Sequence, residues 1–246
     1  MIRMRTMLFG VLGMLALLPA TAQAQLRWQQ GQQYTLIQPA APVSVPAGKI
    51  EVTEVFSYGC IHCFRAEDEV EKLRRALPPD AVMTYVHASF IPSEAWPMLQ
   101  QAFYTAQALG IAQATHEAMF AGIWESGEFP LLDLKGGGVR KPLPTIEAAA
   151  RFYQKYGSVK AETFLAMARS REIDVATQRA DKLIQDLKVS GTPALIVNGR
   201  YQIHMEKLSG WDDIRALVLF LVGQERQRLK LPAPPAGKPP APAAGG

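Results

Sequence analysis

The most informative stretch of this sequence is EVFSYGCIHC, at residues 54–63. Residues 49–57 predict a buried strand, in which Glu51 and Glu54 interrupt the apolar residues Ile50, Val52, Val55 and Phe56. After Cys63, apolar residues recur at helical spacing until Pro78 and Pro79 end the pattern. Residues 81–89 then have the pattern of a second strand. Together these segments predict a βαβ unit with two cysteines at its strand-to-helix junction.

Cys60 and Cys63 are the only cysteines in the chain of 246 residues. A disulfide between such close neighbours closes a minimal loop and removes little entropy from the unfolded chain, so a reactive pair explains the spacing better than a structural bridge does. A thiolate in the first turn of a helix faces unpaired N–H groups and the positive end of the helix dipole, which lower its pKa. We therefore predict Cys60, at the exposed helix start, as the nucleophile and the more buried Cys63 as the resolving thiol.

His62 lies between the two cysteines, where it can stabilise a thiolate as a charged or hydrogen-bonding neighbour. Stabilisation of the reduced form makes the corresponding disulfide a stronger oxidant. Zinc binding is the competing explanation, but a structural zinc site needs four ligands. The chain has no second cysteine pair, and His87, His116 and His204 lack the spacing of a zinc-binding pair. We expect neither a metal nor a cofactor.

The N-terminal residues have the pattern of a secretory signal peptide. Arg3 and Arg5 precede an apolar run at residues 8–18, and a small-residue cleavage site ends at Ala24, so residues 1–24 are predicted to be removed. Removal lowers the net charge from +4 to +2, because two arginines and no acids are lost. This charge gives no support for nucleic-acid binding. No second apolar run of spanning length follows, so we expect no stable membrane insertion.

Helical patterns dominate residues 92–172, which we predict to be an insertion between the strand-containing parts of the chain. A Gly/Pro-rich segment at residues 127–144, with three successive glycines at 136–138, interrupts them and is predicted to be a surface loop. At the C-terminus, residues 230–246 are rich in Pro and Ala and are predicted to be disordered.

The strand-and-helix pattern resumes at residue 173. Asp174 is predicted to cap a helix. Asn198 and Gly199 then form the favoured two-residue turn between strands predicted within residues 194–204. Ser209 and Asp212 are predicted caps of the last helix.

The stretch at residues 54–63 closely resembles the active-site segment of DsbA-type periplasmic thiol:disulfide oxidoreductases. GQQY at residues 31–34 resembles the N-terminal strand lead-in of that family, while GTPA at 191–194 and VNGRY at 197–201 resemble its cis-proline loop and hairpin. The resemblance covers nearly all of the predicted mature chain up to the tail. It implies an α/β, thioredoxin-like fold with an inserted helical domain. The implied domains are residues 25–91 and 173–229 for the two thioredoxin-like parts and 92–172 for the insertion.

The resemblance also implies roles for residues outside the cysteine pair. Thr192 and Pro193 are expected to be joined by a cis peptide bond beside the cysteines, with Thr192 touching the substrate backbone. Glu54 falls on a strand that otherwise has a core pattern, where a carboxylate is costly unless it is hydrated or paired. The matching acid of the family helps proton transfer near the buried thiol, and Glu67 matches a second such acid.

An enzyme of this type is expected to introduce disulfide bonds into unfolded exported polypeptides that have free thiols. The resemblance implies a periplasmic monomer that is re-oxidised by a membrane partner of the DsbB type. Substrates are expected to dock near Pro193 by apolar contacts and backbone pairing. The sequence departs from the family at Ile61, where Pro is usual, and at Tyr85, where relatives often have a Lys that partners the buried acids.

Three other functions remain open at this point. A reductase or isomerase of the same fold would also use the cysteine pair, and a reduction potential near that of thioredoxin would favour the reductase. A non-catalytic chaperone would keep its activity after Cys60→Ser. A zinc-stabilised scaffold would contain stoichiometric metal.

Overall fold

The computed structural model of the protein describes residues 27–133 and 135–233. The predicted signal peptide lies outside these residues, and so does most of the predicted Pro/Ala-rich tail. None of the helices within the described ranges combines the length and the apolar character that a membrane crossing requires.

A mixed sheet of five strands lies at the centre of the described chain, in the order β1-β5-β4-β2-β3. The strands are β1 (Tyr34–Leu36), β2 (Ile50–Phe56), β3 (Ala81–His87), β4 (Ala194–Val197) and β5 (Tyr201–Ile203). β2 is an interior strand that pairs in parallel with β3 and antiparallel with β4. All seven of its residues are buried, including the polar Glu51, Thr53 and Glu54.

Seven α-helices accompany the sheet within the described residues. They are α1 (Ile61–Ala76), α2 (Trp96–Ala108), α3 (Ala112–Trp124), α4 (Ile146–Gly157), α5 (Ala161–Ala168), α6 (Arg171–Asp186) and α7 (Trp211–Arg228). No strand of the sheet separates α2 from α5 in the chain, so this stretch is as helical as its sequence pattern predicts. The predicted domain boundary after residue 172 falls within the first turn of α6.

Two hydrophobic clusters fix the strand and the helix that flank the cysteines. The larger cluster contains Val55, Cys63 and buried side chains of α2 to α6. The smaller cluster contains Val52, Leu73 and the buried side chains of α7. Full burial of a side chain such as Leu73 stabilises a fold by about 2 kcal/mol. β2 and α1 contribute to both clusters, so the junction between them is held on both sides.

The predicted hairpin turn lies between β4 and β5. Asn198 and Gly199 have φ values of 53° and 60°, which a type I′ turn requires at both positions. A Cβ atom at Gly199 would lie 2.3 Å from the carbonyl oxygen of Ala41. The turn is joined to α7 by the side chain of Asn198, whose Nδ2 donates to Glu225 Oε2 over 2.6 Å.

The predicted helix caps are wrong at two helices. α6 begins directly after Ser170, and Asp174 lies in its first turn. α7 begins directly after Gly210, which displaces the predicted cap Ser209 and leaves Asp212 in the first turn. An acid in the first turn interacts favourably with the helix dipole. Such an acid therefore marks the beginning of a helix without occupying the cap position.

The Gly/Pro-rich segment at residues 127–144 is more than the predicted surface loop. Phe129 and Leu131 are fully buried in the larger cluster, and Leu132 pairs with Val139 in an isolated β-bridge. Burial of these apolar side chains fixes a segment whose glycines alone would favour mobility. The segment is therefore positioned well enough to form part of a binding surface.

Candidate active site

The cysteine pair lies where β2 ends and α1 begins. Cys60 is the N-cap residue of α1, and its N–H donates to the carbonyl oxygen of Ser57 over 3.0 Å. Cys63 follows one turn into the helix. Both residues are unbonded thiols, with 7% of Cys60 and 1% of Cys63 exposed. Cys60 is thus more exposed than Cys63, but less so than the sequence predicts, because the loop that contains Thr192 contacts its sulfur.

Several hydrogen-bond donors hold the pKa of the Cys60 thiol well below its ordinary value. The largest effect comes from the thiol of Cys63; burial opposes it, and the Thr192 hydroxyl and the backbone N–H groups of Cys63 and His62 add to it. The two backbone groups belong to the first turn of α1, where N–H groups have no partner within the helix. The predicted effect of the helix start is therefore present, together with contributions from two side chains.

The pKa of the Cys63 thiol is shifted in the opposite direction. Burial raises the pKa of its thiol, and a hydrogen bond and negative charge from Cys60, together with the charge of Glu54, raise it further. In the reduced protein, Cys60 is therefore the thiolate and Cys63 the neutral thiol. A nucleophile that attacks the sulfur of Cys60 in the disulfide would expel a buried Cys63 sulfur that needs a proton.

The two residues between the cysteines face an open groove. His62 is exposed and lines this groove together with Ile61. The effect of His62 on the pKa of Cys60 comes from its backbone N–H, whereas the sequence argument assigned the effect to its imidazole. The peptide group would exert this effect with any non-proline residue at position 62.

Thr192 reaches the cysteine pair across a sequence separation of 132 residues. β4 begins at Ala194, which pairs with Val55 of β2, and the Thr192–Pro193 peptide bond is cis, as the resemblance implies. The carbonyl oxygen of Thr192 lies 3.4 Å from Cys60 Sγ and accepts from the protonated thiol. In the ionised state the Thr192 hydroxyl donates to the sulfur instead. Adjacent strands thus bring the two distant motifs together.

The two predicted acids lie on the buried side of the cysteine pair. Glu54 is in β2 and only 2% exposed, and its Oε2 atom has no hydrogen-bond partner among the described residues. Burial raises the pKa of Glu54 to about 8, and the charges of Glu67 and Cys60 contribute to the rise. Glu67 is partly exposed, and its Oε2 lies 3.2 Å from His116 Nε2. At neutral pH the carboxyl group of Glu54 is therefore mostly protonated.

An apolar groove with a volume of about 770 Å³ lies beside Cys60. Its walls were not predicted from the sequence, because most of them come from residues 90–91, α2, α3 and the 127–144 segment, which have no motif in common. Besides Ile61, the apolar side chains that line it are Phe90, Ile91, Trp96, Trp124, Leu131, Leu132 and Val139. A groove of this kind can hold an extended apolar peptide segment next to the reactive sulfur.

Two further features fix the geometry before α1. The indole N–H of Trp124 donates to the carbonyl oxygen of Tyr58 over 2.9 Å. His87 Nε2 accepts from the N–H of Tyr58 over 3.1 Å, and burial lowers the pKa of His87 to about 3. A neutral His87 is what this accepting role needs. Among the described residues, no three His, Cys, Asp or Glu side chains come together as metal ligands would.

Known proteins resemble this chain along most of its length, although no family model matches it. The thiol:disulfide interchange protein DsbA of Pseudomonas aeruginosa is 31% identical, over 91% of this chain and 97% of its own. That of Azotobacter vinelandii is also 31% identical, over 80% and 84%. Among solved structures, the oxidoreductase DsbA of Xylella fastidiosa has a TM-score of 0.69 at 30% identity and covers 80% of this chain and 97% of its own.

These similarities confirm the predicted α/β, thioredoxin-like fold with added helices, and they agree with the reactive pair of cysteines described above. The chain belongs to the DsbA family of thiol:disulfide interchange proteins.

Proposed function

We propose that this enzyme oxidises thiol pairs of unfolded exported polypeptides through Cys60 and Cys63, with Cys60 as the sulfur that substrates attack. The observation that carries this proposal is the lowered pKa of Cys60. The contacts that stabilise the thiolate are lost when the sulfur is bonded in a disulfide. Stabilisation of the reduced form alone makes the disulfide a stronger oxidant.

The reaction proceeds in two exchange steps. A substrate thiolate attacks Cys60, the Cys60–Cys63 bond breaks, and the electron pair leaves on Cys63, which takes a proton from Glu54. The second substrate thiol, as its thiolate, then attacks the substrate sulfur of the mixed disulfide, and Cys60 leaves as a thiolate. The substrate loses two electrons, which the enzyme takes, and two protons, which pass to solvent. Glu54 then regains one proton from solvent, so the enzyme gains one proton in total and the other remains in solvent.

The remaining site residues receive roles that fit their positions. Thr192 supplies a hydroxyl to the Cys60 thiolate, and its neighbour Pro193 precedes β4, where a substrate backbone can pair. The apolar groove binds the side chains of the substrate. His62 acts through its backbone N–H, and Glu67 assists Glu54. In this division of labour, residues 25–91 and 173–229 form the reactive domain, and the helical insertion at residues 92–172 forms the outer wall of the groove.

The proposed setting is the bacterial periplasm. The signal-peptide pattern of residues 1–24 supports export, with cleavage after Ala24. Each turnover leaves the enzyme as a dithiol, so a continuing supply of disulfides requires a re-oxidant, for which a membrane partner of the DsbB type is our candidate. We expect the enzyme to work as a monomer.

The decisive experiment is oxidative refolding of a reduced, unfolded protein by the disulfide form of the enzyme, with the reduction potential measured against glutathione. We expect faster thiol oxidation and a potential well above that of thioredoxin, about −270 mV. A potential near the thioredoxin value, with no acceleration, would support the reductase instead.

Cys60→Ser and Cys63→Ser separate this proposal from a non-catalytic chaperone. The first variant should be inactive. The second, offered a protein that already contains a disulfide, should attack it through Cys60 and hold that protein as a mixed disulfide, because the thiol that would resolve it is missing. A Cys60→Ser protein that still promotes folding of its substrates would contradict the oxidase assignment.

A further inference from the structure

His116 is a buried histidine of α3 that the exchange reaction described so far does not use. It is 6% exposed, and its ring lies about 5 Å from the rings of Phe56, Tyr58, Tyr85 and Phe120. Aromatic surroundings of this kind would suit a phenylalanine equally well. The presence of an imidazole there therefore needs a polar explanation.

Both nitrogens of His116 face polar groups. Nδ1 lies 2.9 Å from the hydroxyl oxygen of Tyr58, and burial raises the pKa of that hydroxyl, so it keeps a proton that it can donate to Nδ1. Neutral His116 then has its proton on Nε2. Nε2 lies 3.2 Å from Glu67 Oε2, within ion-pair distance but without the angle of a good hydrogen bond. A small rotation of either side chain would align the proton with the carboxylate.

Glu67 leads from His116 towards the cysteines. Its negative charge raises the pKa of Glu54, and that of Glu54 raises the pKa of Cys63. The three groups are therefore close enough to sense one another's protonation. The free Oε2 atom of Glu54, which has no partner in the described part of the chain, can exchange a proton without breaking an existing hydrogen bond.

His116 is also within reach of solvent. A cavity of about 240 Å³ has His116, Tyr85, Phe103 and Gln107 in its wall and shares no lining residue with the substrate groove. A second cavity of about 270 Å³ borders Glu67. Cavities of this size can hold several water molecules next to these polar groups. Protons can therefore reach His116 while a substrate fills the groove beside Cys60.

We propose that His116 is a positioning residue of a proton relay, which connects the solvent-facing cavity through Glu67 to Glu54 and the Cys63 thiol. This inference rests on the proposed oxidase function. In the first exchange step, Glu54 gives its proton to the departing Cys63 sulfur. The Glu54 carboxylate then regains a proton by way of Glu67, and His116 replaces that proton from solvent. The relay moves protons only, and no group in it changes oxidation state.

His116 also takes the place of a cation near the buried acids, because this chain has Tyr85 where relatives often have a lysine. Tyr85 lies opposite Glu54 in the pairing of β2 with β3 and offers no positive charge. The groups that face this region are Glu54 from β2, Tyr58 from the turn before α1, Glu67 from α1, Tyr85 and His87 from β3, and Tyr153 from α4. Among these, His87 is held neutral by burial, whereas His116 places its Nε2 within ion-pair distance of Glu67.

The test compares the single-turnover opening of the enzyme disulfide by a reduced, unfolded protein in wild type, His116→Gln and Glu67→Gln. Rates are measured from about pH 5 to about pH 9, which spans the ordinary pKa of histidine and the raised pKa of Glu54. The rates are divided by the thiolate fraction of the substrate. We expect His116→Gln to lower the rate about tenfold and to increase its solvent isotope effect, since proton transfer becomes limiting.

Glu67→Gln provides the second measurement. Glu67 is partly exposed on α1, so this variant should fold even where His116→Gln does not, and it should alter the same limb of the pH profile. His204→Gln, at a partly exposed histidine beyond β5, is the matched control and should reproduce the wild-type profile. Free energies of unfolding show whether any loss of rate reflects loss of fold.

The outcomes separate the two proposals. If the wild-type protein oxidises the substrate but the corrected profiles of both variants coincide with it, the relay is wrong and the oxidase stands. A wild-type protein that does not oxidise the substrate overturns both.

Discussion

Glu225 and Glu54 are both buried glutamates of this protein, but their surroundings differ. Glu225 is fully buried in α7 and accepts from the Arg228 guanidinium over 2.7 and 2.8 Å and from Asn198 over 2.6 Å. Burial alone would raise its pKa, but these donors hold it below the ordinary value. Glu54 is nearly as buried, yet its Oε2 has no partner in the described residues and its pKa rises to about 8.

The difference separates a structural carboxylate from a reactive one. The fold surrounds Glu225 with donors, and the carboxylate in turn joins the β4–β5 turn to α7. Around Glu54 the unfavourable desolvation is left uncompensated, which keeps a proton available beside Cys63. Retained unfavourable electrostatics of this kind are typical of catalytic sites. The variants of Glu225, Glu54 and Tyr85 below each remove or exchange one of these two environments, and the last variant tests a donor to Cys60.

The largest effect is expected for Glu225→Ala. Loss of the carboxylate leaves the buried amide of Asn198 without its acceptor and opens a cavity, so the free energy of unfolding should fall by about 4 kcal/mol. Urea denaturation measures it, and the rate of thiol oxidation by the folded protein should not change. Glu71→Ala breaks a surface pair with Arg74 on α1 and should cost less than about 1 kcal/mol. Equal losses of stability for Glu225→Ala and Glu71→Ala would show that the buried carboxylate contributes no more than a surface ion pair.

Glu54→Gln is expected to raise the free energy of unfolding, whereas Glu225→Ala lowers it. Below pH 4.5, the ordinary pKa of Glu54, the carboxyl is protonated in both states. Between pH 4.5 and about 8 the folded state keeps a proton that the unfolded state releases, so stability falls as pH rises, by up to about 1.4 kcal/mol per unit. Glu54→Gln should remove this decline and stabilise the protein by about 3 kcal/mol at neutral pH.

Unfolding of the disulfide form measures this effect, because the thiols then do not titrate. The same variant should slow disulfide opening by substrate. A pH dependence of stability identical to that of wild type would show that Glu54 is ionised in the folded protein.

Tyr85→Lys should make the surroundings of Glu54 resemble those of Glu225. A cation opposite Glu54 in the strand pairing favours the carboxylate and should lower its pKa by about one unit or more. The decline of stability with pH should shrink accordingly, and Tyr85→Phe, which adds no charge, should leave it in place. If Lys and Phe give the same pH dependence, the missing cation does not explain the raised pKa.

The smallest effect is expected for Thr192→Val. Its hydroxyl is one of several donors to the Cys60 thiolate, so its removal should raise the pKa of Cys60 by about half a unit and make the disulfide a slightly weaker oxidant. Thiolate absorbance as a function of pH measures the change. Thr192→Ser keeps the hydroxyl and should behave as wild type; a shift as large as that of Val would assign the effect to packing.

The contiguous part of the site could be predicted from sequence because local rules apply to it. The strand before Cys60, the helix after it and the buried position of Glu54 all follow from the periodicity of residues 49–77. The turn at Asn198 and Gly199 follows from the φ values that only such residues adopt easily. Helix starts were less predictable. Asp174 and Asp212 lie in the first turns of their helices, where they interact favourably with the helix dipole, and not at the cap positions.

The distant part of the site could not be derived in this way. His116 lies in a helix whose sequence contains no motif, and its function depends on a contact with Glu67 that only tertiary packing creates. Most of the groove is walled by residues 90–91, α2, α3 and the 127–144 segment, each apolar for ordinary reasons of packing. The cis bond before Pro193 was expected from resemblance, since no local rule fixes its geometry.

The separation of 132 residues between Cys60 and Thr192 has a consequence for the timing of reactivity. A growing chain that has exposed only its first half contains both sulfurs, but it lacks β4 and the Thr192 hydroxyl. In that incomplete chain, the Cys60 thiol lacks one of the donors that lower its pKa. Oxidising power is therefore complete only late, when the chain is nearly finished.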